Sequence, residues 1–266
     1  MTAVKLKYKL EMLYKKYNRR DVIKPDPLQF VYRFSERRDK EIAAFLSAVL
    51  AYGRVEQIQK SLKRLFSLMP EGPYDFVMSL NYRQKILLKD FKHRFNTGKD
   101  IYLLLQLIKL VLEHDESMED FFLTGYKDSD RNIIPGLTAF CHSFHRLYTE
   151  NNNRQMPKGL AYLLPNPCNG SACKRLNLFL RWMVREDNVD VGLWKRIDKT
   201  KLVIPMDVHI SRLCKALGFY KRETISLAAA VEITDNFSKI EPDDPIKYDF
   251  ALCRTGMLKV KRSRLN

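Results

Sequence analysis

The chain has 266 residues, and 47 Lys and Arg stand against 31 Asp and Glu, a formal charge of +16. A mass of 31.4 kDa suits one large domain or two modest lobes, and 45% hydrophobic residues exclude a disordered chain. No apolar run of about 18 residues is present, and the basic N-terminus lacks the apolar centre of a secretory signal, so a cytoplasmic protein without a membrane span is expected.

The N-terminal stretch "KLKYKLEMLYKKYNRR" holds seven basic residues and one acid, and "RTGMLKVKRSRLN" at the other end holds five basic residues and no acidic side chain. Both read as solvated ends that add non-specific affinity. With a sequence pI near 9.6, the charge points to a polyanionic partner, nucleic acid first. Charge alone also fits a basic protein that meets acidic lipid or has no such partner.

Between these ends the patterning is helical. "RDKEIAAFLSAVLAYG" offers Ile42, Phe45, Leu46 and Val49 at i, i+3, i+4, i+7, with Gly53 closing it. "DIYLLLQLIKLVLEHD" is apolar through its middle and predicts a central core helix. "SMEDFF" opens on a Ser followed by Glu119 and Asp120, which suits a helix N-terminus. "RNIIPGLTAFCHSFHRLY" predicts a turn and a helix with Pro135 near its start. "LLPNPCNG" is the sharpest break in the chain. After it, Leu176, Phe179, Leu180, Met183 and Val184 form an apolar stripe, with Ser171 or Gly170 as N-cap, while Lys174, Asn177 and Arg181 fall on a second, polar face.

"IPMDVHISRLCKALG" predicts a helix with Ile210, Leu213, Cys214 and Leu217 as its stripe and Gly218 as its end. "ETISLAAAVEITDNF" follows as an Ala-rich helix, and "DDPIKYDFALCRTG" as one capped by Asp244 with Pro245 in its first turn. No stretch alternates as a strand would. The expected class is all-α, with roughly ten or more helices. The five cysteines are irregularly spaced, which fits reduced thiols; Cys168 and Cys173 alone do not make a zinc site, nor do His142 and His145 without a third ligand.

The candidate site begins with an electrostatic oddity. A helix N-terminus carries partial positive charge and free N–H groups that favour anions. Lys174 and Arg175 place two cations there, and each unfavourable placement costs roughly 0.3–1 kcal/mol when exposed. Both the helix end and the Arg175 neighbour favour a neutral amine, which is what a nucleophilic lysine requires. The plainer alternative is a phosphate grip or a solvated pair. Asp207, expected as the N-cap of the next helix, would stay ionised against backbone N–H groups and could stabilise a developing cation; the plainer alternative is a cap and nothing more. Trp194 could stack on a base or pack a core edge; Trp182 reads as structural, and "HRF" at His93 to Phe95 as a possible cleft element.

"NGSACKRLNLFL" followed by "PMDVHISRLCKALG" resembles the core of the helix–hairpin–helix DNA glycosylases, the endonuclease III superfamily, where the hairpin reads Leu-Pro-Gly-x-Gly-x-Lys-x-Ala and a later segment reads Val-Asp-x-His-x-x-Arg. Lys174 matches the nucleophile, Asp207 the aspartate, Gly170 the first hairpin glycine, and His209 and Arg212 complete the second motif. "EIAAFLSAVLA" is similar to the family's Leu-Leu-Ser-x-Gln helix and "YDFALCRTG" to its closing helix, so the likeness runs from about 41 to 256, with its specific part at 160–218. The sequence departs in having Ala172 for the second hairpin glycine. Val49 and Leu50 stand near the missing glutamine, with Tyr52 and Arg54 as weak substitutes for the residue that fills the gap left by a flipped base. The spacing of 207 − 174 = 33 positions and the "RWMVR" helix are similar to the archaeal 8-oxoguanine glycosylase branch, and a separate bacterial branch of the superfamily also fits.

The resemblance implies a two-lobed fold with a DNA-binding cleft between the lobes, one unit over 1–266, with 41–150 mainly one lobe, 157–218 the hairpin and catalytic-helix segment, and 219–266 closing helices and a basic tail. It implies a monomeric base-excision enzyme on double-stranded DNA, an N-glycosylase and AP lyase acting through a Schiff base on a damaged base, an oxidised purine among the options. Lys174 and Asp207 would be catalytic; Gly170, Ser171, Arg175, Asn177, Arg181, His209 and Arg212 would bind DNA; Trp194 would line the base pocket. The four-cysteine iron–sulfur motif of some relatives is missing, so no cofactor is expected, beyond a monovalent cation of the kind some relatives hold in the hairpin. The alternative is a non-catalytic DNA-binding protein that keeps the fold.

Overall fold

A computed structural model describes residues 3–255. They are mostly helical, an all-α fold, and they divide into two compact units. One comprises Lys24–Asp130 and Ile134–Asn166; the other takes the described residues before Lys24, Arg131–Ile133, and those from Pro167 onward. The α-helices run, in chain order, α1 (Ala3–Tyr17), α2 (Arg37–Val49), α3 (Val55–Ser67), α4 (Pro73–Met78), α5 (Tyr82–Leu87), α6 (Gly98–His114), α7 (Met118–Leu123), α8 (Ile134–Asn152), α9 (Lys158–Leu163), α10 (Lys174–Val184), α11 (Val208–Ala216) and α12 (Leu227–Ser238), followed by α13 at 249–255. Among the described residues no helix is long and apolar enough to cross a membrane.

The α2–α9 unit is built on apolar periodicity. Every residue of α2 from Ile42 to Val49 is buried, more than a single stripe would be, because α2 packs against the short 3-10 segment Pro27–Arg33 and against α4. Phe45 stacks on Phe144 with centroids 5.8 Å apart, and Phe121, Phe122 and Phe140 complete the cluster. The one acid in this helix's buried stretch, Glu41, caps a neighbour: its carboxylate accepts from the backbone N–H of Met118 (3.1 Å) and Glu119 (3.2 Å) at the start of α7. Ser117 accepts from the Asp120 N–H at 3.1 Å, as its place before the acidic turn predicts. Thr97 and Asp100 form a capping box that starts α6. Two features depart from the sequence expectation. α2 ends at Val49 rather than at Gly53, and a two-stranded hairpin pairs Lys92 with Thr97 and His93 with Asn96, too short to show as alternation.

The second unit buries charge. Arg181 on α10 reaches Asp190 (3.1 Å) and Asp249 (2.5 Å), and Arg185 reaches Asp190, Asp187 (3.0 Å) and Asp244 (2.9 Å). Asp187 also accepts from the Tyr14 hydroxyl at 3.1 Å. Burial alone would raise the Asp187 carboxyl, but the Arg185 guanidinium, the N–H groups of Asp190 and Val189, and Tyr14 outweigh it and hold it below the usual carboxylate range.

This network corrects two expectations. Asp244 does not cap a helix at Pro245; its carboxylate is taken by Arg185, residues 245–248 form turns, and the helix starts at 249. The basic N-terminal stretch is no solvated tail over its described part. It is α1, with Leu10 buried and Glu11 bonded to Lys247 (2.7 Å) and Tyr248 (2.5 Å). Most of the C-terminal basic stretch, from 256 on, lies outside the described residues.

Candidate functional site

The break at "LLPNPCNG" ends in a turn with Gly170 at φ +72° and Cys173 at φ +45°, and α10 starts directly after it. Gly170 is in the left-handed region that favours glycine. Its absent Cβ would meet nothing within 4 Å, so here backbone conformation, rather than close packing, calls for glycine. The N-cap of α10 is Cys173, not Gly170 or Ser171, and it makes no side-chain cap bond. Ser171 instead turns its hydroxyl back to accept from the Cys173 N–H at 3.2 Å. Lys174 is therefore the first helical residue.

Asp207 is the N-cap of α11. Its Oδ1 accepts from the N–H groups of His209 and Ile210, both at 2.9 Å. Its Oδ2 lies 3.3 Å from Lys174 Nζ. One carboxylate oxygen is thus fixed by the helix, and the other faces the amine. Residues 33 positions apart in the chain meet because α10 and α11 begin side by side, and neither is sealed off: the Lys174 side chain is 38% exposed and that of Asp207 15%.

The remaining expected site residues divide sharply. Gly170, Ser171 and Arg212 are exposed, and His209 is half-buried. Arg181 and Asn177 are not on a polar surface face, which corrects the expectation that they bind DNA. Arg181 is 2% exposed because Asp190 and Asp249 hold it inside; Asn177 is 1% exposed and donates to the Ala172 carbonyl at 3.1 Å. Arg175 is buried as well. Trp194 does not line a base pocket: it is fully buried, its ring edge-on to Phe179 at 5.1 Å, and its backbone N–H donates to the Met183 carbonyl at 2.7 Å. The residues after α10 fold back onto that helix, and this buries the tryptophan.

Asp249 was not expected near the pair. Burial pushes its carboxyl up, Arg181 opposes that, and Asp207 and Lys174 both act on it electrostatically. The available signal was its place in "YDFALCRTG". Neither Cys173 nor Cys214 competes as a nucleophile here. Burial pushes the Cys173 thiol up to about 11 and the Cys214 thiol up to about 12, leaving both as neutral thiols at neutral pH. Among the described residues no group of three or more His, Cys, Asp or Glu side chains is placed to hold a metal ion.

What the pair can do follows from its geometry. A primary amine and a fixed carboxylate within proton-transfer reach, at an open pair of helix mouths, can exchange a proton and expose a nitrogen lone pair. The family described as "Protein of unknown function (DUF2400)" matches residues 26–258 of the chain. No curated protein and no solved structure matches it.

Proposed function

We propose that this chain, which belongs to the DUF2400 family, is a base-excision DNA repair enzyme of the two-lobed helix–hairpin–helix type, a glycosylase and AP lyase with Lys174 as nucleophile. The observation that carries the reading is the 3.3 Å approach of Lys174 Nζ to Asp207 Oδ2 at the mouths of two helices. The +16 charge supports a polyanionic substrate.

In this mechanism Asp207 Oδ2 takes a proton from the Lys174 ammonium, and the freed lone pair attacks the anomeric carbon of an extruded nucleotide. The glycosidic C–N bond breaks, its electron pair leaves with the base, and the base takes the proton that Asp207 accepted, which restores the carboxylate. Asp207, held by the His209 and Ile210 N–H groups, stabilises positive character on the sugar without reorganising. Ring opening then breaks the C1′–O4′ bond: O4′ takes the proton that the attached nitrogen sheds and becomes a hydroxyl, and the nitrogen lone pair forms the Schiff base on Nζ. Loss of the C2′ proton then expels the 3′ phosphate. Ser171, exposed at the turn, offers its backbone N–H to a flanking phosphate, while the Gly170 N–H is taken by the Pro167 carbonyl at 2.9 Å.

The Lys174–Asp207 ion pair also favours a second reading. A lysine committed to a carboxylate can be a structural link in a DNA-binding protein without chemistry. Borohydride separates the two. On duplexes carrying oxidised, deaminated or abasic lesions it should reduce the Schiff base to a stable covalent adduct. Lys174→Ala should abolish the adduct, and Asp207→Asn should slow its formation by about 10²–10⁴-fold while DNA binding persists. Salt-sensitive DNA binding with no adduct on any lesion would favour the binding protein.

A further inference from the structure

The α2–α9 unit carries a second surface, unrelated to the lysine. The hairpin pairing His93 with Asn96 leaves a two-residue tip, Arg94–Phe95. Phe95 is 66% exposed and Arg94 is held at φ +52°, a conformation such tips normally give to Gly, Asn or Asp. A lone exposed ring is ordinary. This ring stands on a rigid base.

His93 beneath the tip is fully buried. Its Nε2 faces the Tyr52 carbonyl at 3.1 Å, which can only accept, so Nε2 carries the hydrogen and Nδ1 accepts from the Ser61 hydroxyl at 2.8 Å. The Tyr52 hydroxyl donates to Asn96 Oδ1 at 2.5 Å, and Asn96 donates to the Gly159 carbonyl at 2.7 Å. Both hairpin positions under the tip are therefore locked. Above them the rings of Tyr52, Tyr162 and Phe95 meet edge to face at 5.1 and 5.8 Å, and Tyr162 is itself 41% exposed. The Arg94 guanidinium lies 5.1 Å from the centre of Phe95. Its side chain crosses Gly53, where an added Cβ would come within 2.6 Å of Arg94 Cδ; Gly53, at φ +96°, is a position for glycine on both counts. Arg54 and Lys92 on either side are exposed, with no ion pair to an acid among the described residues.

Locked aromatic faces ringed by uncompensated cations suit an unstacked base and its phosphates. An acidic peptide would use the cations but not the flat rings, and a lipid surface would want an apolar face broader than one phenylalanine and one tyrosine. We infer that the Arg94–Phe95 tip, with Tyr162, Arg54 and Lys92, is a stacking site for an unpaired base of a DNA strand. The inference rests on the proposed DNA partner, though not on the lysine chemistry.

The test uses the full chain and two duplexes of one sequence, fully paired or with a single extrahelical base, with affinities read by fluorescence anisotropy. The chain should prefer the extrahelical duplex. Phe95→Ala, at an exposed site with an unchanged thermal melt, should weaken that duplex about tenfold and leave the paired one alone, and Phe95→Tyr should restore the preference. Arg54→Ala with Lys92→Ala should weaken both and flatten the salt dependence. A wild type without preference, or a Phe95→Ala loss that is absent or equal on both duplexes, overturns the site. Lys174→Ala should leave the preference intact. An adduct that never forms therefore counts against the repair chemistry alone, a lost Phe95 effect counts against this site alone, and a chain that binds neither duplex sinks both.

Discussion

At the centre of the α2–α9 unit, Phe45, Phe121, Phe122, Phe140 and Phe144 pack ring on ring; at the centre of the other unit, two arginines and four aspartates pair around α10. Aromatic rings fill space with little demand on partners, so their contribution follows from buried area and packing. Buried ions are the reverse. Each depends on every partner being present, and the attraction among them largely offsets the cost of removing them from water. The charged core therefore adds little net stability, while it fixes where 187, 190, 244 and 249 must sit relative to α10. That is the helix whose first residue, Lys174, has to meet Asp207, so the more demanding core lies in the unit that holds the candidate site.

The comparison breaks most directly at Arg181 and Phe144. Arg181→Met takes its arginine from Asp249 and leaves Asp190 with Arg185 alone, and should cost about 3–5 kcal/mol in urea unfolding. Exchanging Asp190 and Asp249 at the same time for uncharged residues of similar size should recover much of that. Phe144→Ala should cost about 3–5 kcal/mol through the cavity it leaves, with no polar exchange able to recover it. If Arg181→Met costs less than Leu-to-Val-sized changes elsewhere, or is not rescued, the charged core does not work as a unit.

A smaller effect sharpens the same contrast through pH. Burial alone would raise the Glu11 carboxyl, but its bonds to Lys247 and Tyr248 outweigh this and hold it below its ordinary value; Glu241, similarly bonded, is also lowered. A carboxyl lowered on folding stabilises the fold fully above its unfolded value, about 4.3, and that stability is lost as pH falls through the lowered folded value. Asp187 adds to this from within the core. Burial raises Asp190 and Asp249 instead, so acid should weaken the charged unit through Glu11, Glu241 and Asp187 and not through those two. Glu11→Gln should cost about 0.5–1 kcal/mol at neutral pH and make melting temperature fall less steeply below about pH 4, a difference absent from variants confined to the aromatic cluster.

Much of this was legible before any coordinates. Asp207 reads as a cap from its place after Pro205 and before an apolar stripe, and the stripe of Leu176, Phe179, Leu180, Met183 and Val184 is buried as a 3.6-residue period requires. Arg181 and Asn177 read as a polar surface face for a specific reason. Periodicity sorts polar from apolar and cannot say whether a polar face meets water or aspartates such as Asp249, brought from 68 positions away. Trp194 follows the same logic, since a loop folding back on α10 buries it. The hairpin at His93–Asn96 escaped because two-residue strands have no period to read.

By itself the sequence determined the helical class, the caps at Ser117 and Asp207, the break before α10 and the strong positive charge, all consequences of spacing and residue chemistry within a few positions. Only the tertiary structure decided that Lys174 and Asp207 touch, that Arg181 and Arg185 point inward, and that Phe95 stands exposed on a locked hairpin. Those outcomes depend on which distant groups share a low-dielectric interior, where pairing, rather than local pattern, sets the position of every charge.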